Sequence, residues 1–174
     1  SRGSEPEPSG FDGVDGYAVN YLFSMTLGGD CDPTPVSDRI KTIFDKNYNP
    51  IVSYSPDANF AKFSIADVGL ELIPEYAKIG NKGELGNMRN YNNESMETYV
   101  GYTSTSYSVV LGEDRRIYFE LHIHDYNAFD QLLYYSVDRY HMGKDNKLTY
   151  ADSSFYLDGN PELEFIFAPK KSTE

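Results

Sequence analysis

The sequence has no tryptophan, one cysteine and no apolar stretch long enough to cross a membrane as a helix. Each absence closes off a class. A single cysteine, Cys31 in GGDCDPT, excludes a disulfide framework within the chain. Asp30 and Asp32 beside it disfavour the thiolate that a catalytic cysteine needs. The missing apolar stretch excludes direct membrane insertion of this segment by a helix. Basic residues are scarce as well: fifteen Lys and Arg against twenty-seven Asp and Glu leave a formal net charge of −12. Such a surface repels phosphate backbones and anionic lipid, so nucleic acid is not an expected partner. No G-x-S-x-G, H-E-x-x-H or P-loop pattern occurs. Nothing in the residues singles out a catalytic group or a resident cofactor.

What the chain has in quantity is tyrosine and phenylalanine, sixteen and ten, with Gly and Asn between them. Aromatics favour strands, and Gly and Asn favour the turns that join them. The fold expected is mainly β, an antiparallel sandwich or flattened barrel. The first residues, SRGSEPEPSGFDG, are acidic and rich in Pro and Gly, with no core-forming pattern. They are read as a flexible tether over residues 1–12, followed by a single β-rich domain over 13–170 and a short tail, 171–174. This leader resembles the acidic, Pro-containing segment that follows the lipid-anchored cysteine of many bacterial cell-surface lipoproteins. The resemblance implies an extracytoplasmic protein, lipid-anchored at the cell surface.

Tyr17, Val19, Tyr21 and Phe23 alternate with smaller or polar residues, as a half-buried strand would. VSDRIKTIFDKNYNPIVSYS reads as strand, Asn-rich turn and strand. Residues 75–97, EYAKIGNKGELGNMRNYNNESME, are Gly- and Asn-rich with little periodicity and are expected to form a long loop. A hairpin is expected over TYVGYTSTSYSVVLGEDRRIYFELHIHD, with GEDR as the turn and Phe119 and Leu121 buried on one face. In DYNAFDQLLYYSVDRYHMG, the residues Phe129, Leu132, Leu133, Val137 and Tyr140 recur at helical spacing. Asp125 or Asn127 can cap the start, so one helix is expected near residues 127–141.

Two sets of candidate residues emerge. On the expected strand, Glu120, His122 and His124 point to one side, because side chains alternate along an extended chain. Two imidazoles and a carboxylate can begin a zinc or iron site. The H-x-H spacing is similar to that of cupins, but the Glu that pattern wants after the second His is missing from HDYNAF. A helix over 127–141 rises about 21 Å and carries His141 away from this set. Calcium has a lesser candidate in DKNYNPIV, where Asp45, Asn47 and Asn49 hold positions one, three and five of an EF-hand-like loop. Pro50 then replaces the required Gly, and a plain hairpin turn explains the same residues. The second set is Tyr99, Tyr102, Tyr107, Tyr134 and Tyr135. Tyrosine rings stack on sugars while nearby Asn and Asp bond their hydroxyls, a mixture suited to a glycan or protein ligand. The expected function is a non-catalytic, surface-attached binding module. A metal-binding protein or metal-dependent enzyme is the first alternative, and a structural subunit of a surface assembly the second.

Overall fold

The computed structural model describes residues 2–26, 35–55, 63–67, 74, 76–143, 147–157 and 160–167. Cys31 and the 171–174 tail lie outside them. Among the described residues the chain is mainly β, with antiparallel strand pairs and no helix. It divides into two compact units, Ser1–Leu70 with Met88–Val100, and Glu71–Asn87 with Gly101–Glu174.

In the first unit, β1 (Arg2–Gly3) and β2 (Glu7–Phe11) both pair with β3 (Val14–Thr26). Then follow β4 (Pro35–Asp45), β5 (Pro50–Tyr54), β6 (Phe63–Ala66) and the last residues of β7 (Lys82–Tyr91). The expected strand-turn-strand of residues 36–54 is therefore present as β4 and β5. Register builds the core directly: Ala18 lies opposite Ile43, Ile43 opposite Val52, and Val52 opposite Ile65. Ala18, Ile43, Val52 and Phe63 are buried, with Phe11, Tyr54 and Tyr91 packed against them. Burying each of the larger side chains contributes about 1.5–3 kcal/mol. The opposite face of the same strands is polar and satisfied. Thr42 and Ser53 share a hydroxyl hydrogen bond of 3.1 Å, and Ser64 donates to Asn90 Oδ1 at 2.7 Å.

Two expectations change here. Tyr17 and Tyr21 are exposed while Ala18 is buried, so β3 turns its small-residue face inward. The aromatic alternation was real, but the core side is decided by Ile43 and Val52 across the ladder. Residues 7–11, expected to lack secondary structure, form β2. Asp12 and Gly13 have φ of 48° and 79°, the positive values of a two-residue type I′ turn. That turn folds Phe11 back onto Phe63, ring centroids 5.9 Å apart. An acidic, Pro-rich composition concealed an Asp-Gly hairpin signal.

The second unit holds the first residues of β7, then β8 (Tyr99–Leu111) from Gly101 onward, β9 (Ile117–Asn127), β10 (Leu132–Met142), β11 (Leu148–Leu157) and β12 (Asn160–Phe167). Each pairs with the strand before it. The expected hairpin is β8–β9, with Leu111 opposite Ile117. Its turn closes by Gly112 N–H to the Arg116 carbonyl and Arg115 N–H to the Gly112 carbonyl, with Arg115 at φ 64°. Phe119 and Leu121 are half-buried rather than buried, whereas Tyr118 on the other face is 6% exposed. Gly101 has φ 145°, and a Cβ there would stand 1.9 Å from the Tyr126 carbonyl oxygen, so β8 needs glycine at that crossing.

The helix expected near 127–141 is a strand, β10. Its apolar residues fit a helical spacing only because both faces of the strand carry them. The β-type Tyr and Val residues of YYSV instead extend along β9, with Tyr135 opposite His124 and Arg139 opposite Glu120. Asn127, read as a helix cap, does cap a backbone, but that of a turn. Its Oδ1 accepts the N–H groups of Phe129 and Gln131 at 2.9 and 3.1 Å, with Asp130 at φ 60°. The long loop expected over 75–97 is interrupted by β7. Glycine misled that reading as well: Gly83 sits under the Tyr107 ring, where a Cβ would come within 2.8 Å of Cε1.

Candidate functional site

Alternation and register place one row of ionisable residues and one row of aromatics on the same face of the second unit. Tyr118, Glu120, His122, His124 and Tyr126 follow at every second position of β9 and share that face. Across the ladder, Ser108 lies opposite Glu120 and Ser106 opposite His122 on β8, while Val137 and Arg139 oppose His122 and Glu120 on β10. Asp152 of β11 lies opposite Arg139.

The polar part is hydrogen-bonded within itself. Ser108 Oγ donates to Glu120 Oε2 at 2.9 Å and lies 2.9 Å from His122 Nε2. A serine hydroxyl has one proton, so when it goes to the carboxylate, His122 must supply the Nε2–H that Oγ accepts. In that arrangement His122 carries its proton on Nε2, towards the serine, and is not placed to take the serine's proton. Glu120 Oε2 also lies 3.4 Å from that same Nε2. In a Ser-His-acid triad the carboxylate binds the other ring nitrogen and orients the imidazole. Ser108, His122 and Glu120 are thus a hydrogen-bonded cluster and not a triad. Arg139 donates from Nε and Nη2 to the two Asp152 oxygens at 2.8 and 2.7 Å. Its guanidinium carbon lies 5.6 Å from the centre of the Tyr118 ring. The Asp152 hydrogen bond holds the Arg139 pKa above its usual value.

His124 belongs to the aromatic row instead. Its ring stacks 5.3 Å from Tyr135 and 6.3 Å from Tyr126, while Tyr126 stacks 4.7 Å from Tyr102. Tyr135 stacks in turn on Tyr156 at 4.3 Å and 3°. Burial among these rings pushes the His124 pKa down, His122 adds to that, and Glu84 opposes it. His124 is then the neutral imidazole in a five-ring row, Tyr102–Tyr126–His124–Tyr135–Tyr156. Because the rings lie face to face across the strands, the row offers a ligand mainly ring edges and phenolic hydroxyls.

The three candidate metal ligands therefore part company: Glu120 and His122 meet at Ser108, and His124 packs among rings. His141, expected to be carried off by a helix, stands on β10 with Nδ1 2.8 Å from the Ile117 carbonyl oxygen and its ring against Tyr118. Among the described residues, no three His, Cys, Asp or Glu side chains are gathered as a metal would require. At the calcium candidate, Asp45 spends its carboxylate on the β4–β5 turn. It accepts Asn47 N–H, Asn49 N–H and Asn49 Nδ2 at 2.8, 2.9 and 3.1 Å.

The five nominated tyrosines also divide. Tyr102 and Tyr135 join the row. Tyr107 stacks on Phe119 at 5.5 Å on the reverse face, and Tyr134, adjacent to Tyr135 in sequence, points the same way as Tyr107. Burial, helped by the Asp125 charge, pushes the Tyr134 pKa up to about 12. Tyr99 meets Tyr91 edge-on at 5.9 Å in the first unit. Sequence reasoning missed Tyr126, His124 as a ring partner, and Tyr156. Tyr126 was within reach, two residues beyond His124 on the alternation already drawn. Tyr156 required the β10–β11 register.

Comparison of the chain with protein-family models, with curated proteins and with solved structures finds no match.

Proposed function

We propose that the protein is an extracytoplasmic, surface-attached binding module without catalytic activity, whose ligand is a glycan bound across the aromatic row of the second unit. The observation that carries this reading is the row itself: four tyrosines and a histidine, half-buried and aligned across β8 to β11. Its hydroxyls and the positive edges of its rings suit the hydroxyl oxygens of a sugar. The net charge of −12 favours a neutral over an acidic polysaccharide. Support for attachment at the cell surface is the compositional resemblance of the acidic, Pro-containing first residues to lipoprotein leaders, although residues 2–3 and 7–11 pair with β3. No helix among the described residues is long and apolar enough to cross a membrane. A sandwich or flattened barrel is the architecture that fits this reading, because it gives cover to an apolar sheet face such as that of Phe119, Leu121 and Ile123.

Titration calorimetry against a panel of neutral and acidic oligosaccharides tests the reading. A neutral oligosaccharide is expected to bind, and Tyr135→Ala/Tyr156→Ala to weaken it at least tenfold with the circular dichroism spectrum unchanged. Binding unaffected by that pair would remove the row from the site.

A protein ligand is the second reading, and a different observation favours it. Phe129 at the β9–β10 turn is 83% exposed, and Leu132 and Leu133 beside it are exposed as well. Three large apolar side chains at one strand end form the kind of patch that contacts between proteins use. Phe129→Ser would abolish such a contact and leave glycan binding intact.

A further inference from the structure

We propose that Tyr135 and Tyr156 form an oxidative cross-linking site, joined as dityrosine by a peroxidase-type oxidant to tie β10 covalently to β11. Four tyrosine pairs make ring contacts among the described residues. Tyr91–Tyr99 and Tyr118–Tyr150 meet edge-on at 5.9 Å, with planes 68° and 73° apart. Tyr102–Tyr126 is stacked at 4.7 Å and 16°. Tyr135–Tyr156 is closer and more nearly parallel, at 4.3 Å and 3°. The two residues are direct register partners, so the ladder holds both backbones while the rings face each other. Coupling of phenoxyl radicals needs an ortho carbon of one ring beside an ortho carbon of the next, and this pair has the shortest centroid distance and the most nearly parallel planes of the four. Both rings are half-buried, so a hydrogen atom can be abstracted at the surface. Other tyrosines are poorly placed: Tyr107 stacks on Phe119, which has no phenol, and burial raises the pKa of Tyr134 and Tyr140 to about 12.

The chemistry balances without any group from the protein. A haem peroxidase reduces one hydrogen peroxide to two waters, taking one electron and one proton from each phenol. The two phenoxyl radicals couple through a new carbon–carbon bond, and both rings regain aromaticity by moving the ortho hydrogens to the oxygens. The product lacks two hydrogens. With a single cysteine the chain has no internal disulfide, and this bond closes segment 135–156 in its place.

The test uses the full chain at low micromolar concentration with a haem peroxidase and hydrogen peroxide. The monomer is expected to lose two hydrogens in mass, to gain dityrosine fluorescence, and to yield on digestion a peptide linking Tyr135 to Tyr156. Tyr135→Phe keeps the ring and its stacking but should remove this product, whereas Tyr107→Phe should leave it unchanged. The cross-linked monomer should unfold on the order of 10 °C higher, as a loop of that length predicts for a covalent tie. Cross-links only between molecules, a monomer product retained in Tyr135→Phe, or an internal link mainly at another pair would overturn the proposal. A product with no higher unfolding midpoint would overturn the tie between β10 and β11.

Discussion

Removing either partner of the Arg139–Asp152 pair should cost very different amounts. The Asp152 side chain is 0% exposed and the Arg139 side chain 37%. At contact distance the attraction is worth about 4 kcal/mol for an effective dielectric near 20. Taking a carboxylate fully out of water costs several kcal/mol, so the pair as a whole sits near balance. Arg139→Met leaves the carboxylate dry and without its cation, with the Tyr150 hydroxyl still bonded to it. That change should destabilise by about 3–5 kcal/mol. Asp152→Asn leaves a guanidinium that can turn to water, and should cost about 1–2 kcal/mol. Arg139→Met/Asp152→Leu should return to within about 1 kcal/mol of the parent, because neither charge remains to be dehydrated. Urea unfolding at pH 7 of the parent, both single variants and the double variant closes a mutant cycle, with midpoints compared at constant slope. An Arg139→Met cost below that of Asp152→Asn would refute the reasoning, because it would mean that Asp152 keeps its water or another cation.

Burial raises the Tyr134 and Tyr140 pKa to about 12, above the value near 10 of an exposed phenol. The protonated phenols then favour the folded state fully below pH 10, and that stability drains away as pH rises through 12. Tyr134 accounts for about 2–3 kcal/mol of it and the more open Tyr140 for less; urea midpoints at pH 8, 10 and 11.5 should fall, and fall less in Tyr134→Phe. Tyr48, 79% exposed at φ 67°, has little packing to lose, so Tyr48→Gly should stabilise by about 0.5–1 kcal/mol, and a loss in thermal unfolding would contradict this. Phe63→Ala, in the buried cluster, should cost about 3–5 kcal/mol in chemical denaturation, while half-buried Phe119→Ala should cost about 2. Elemental analysis of untagged protein should find no stoichiometric zinc or iron, and His122→Ala/His124→Ala should not alter that.

Legibility in the sequence followed the range of each signal. The β8–β9 hairpin was readable because a turn cluster and period-2 alternation act between residues close along the chain, and the shared face of Glu120, His122 and His124 followed from alternation alone. β10 was misread for a related reason. A strand with apolar residues on both faces also satisfies a helical spacing, so the local pattern could not separate them. What decides is the partner: His124, His122 and Glu120 are already aligned on β9 to receive Tyr135, Val137 and Arg139.

The site shows the same limit in sharper form. Its first members, Tyr102 and Tyr135, were visible as tyrosines in a strand-rich region, but nothing local distinguishes Tyr135 from Tyr134. One residue of offset sends one ring into the row and the other to the reverse face, where burial, helped by the neighbouring Asp125, holds its proton. The aromatic row is a property of register: four strands must align before Tyr102, Tyr126, His124, Tyr135 and Tyr156 become neighbours. The turns that set this register are themselves local. Asp45 and Asn127 each accept two backbone N–H groups around a residue with positive φ, which fixes the length of the loop and hence which side chains oppose. Asn127→Ala should therefore disturb Tyr135 and His124, several residues away, before it lowers overall stability. Tyrosine ring signals in NMR would report it: a shift confined to the turn would mean that the β9–β10 ladder holds its register without the Asn127 side chain.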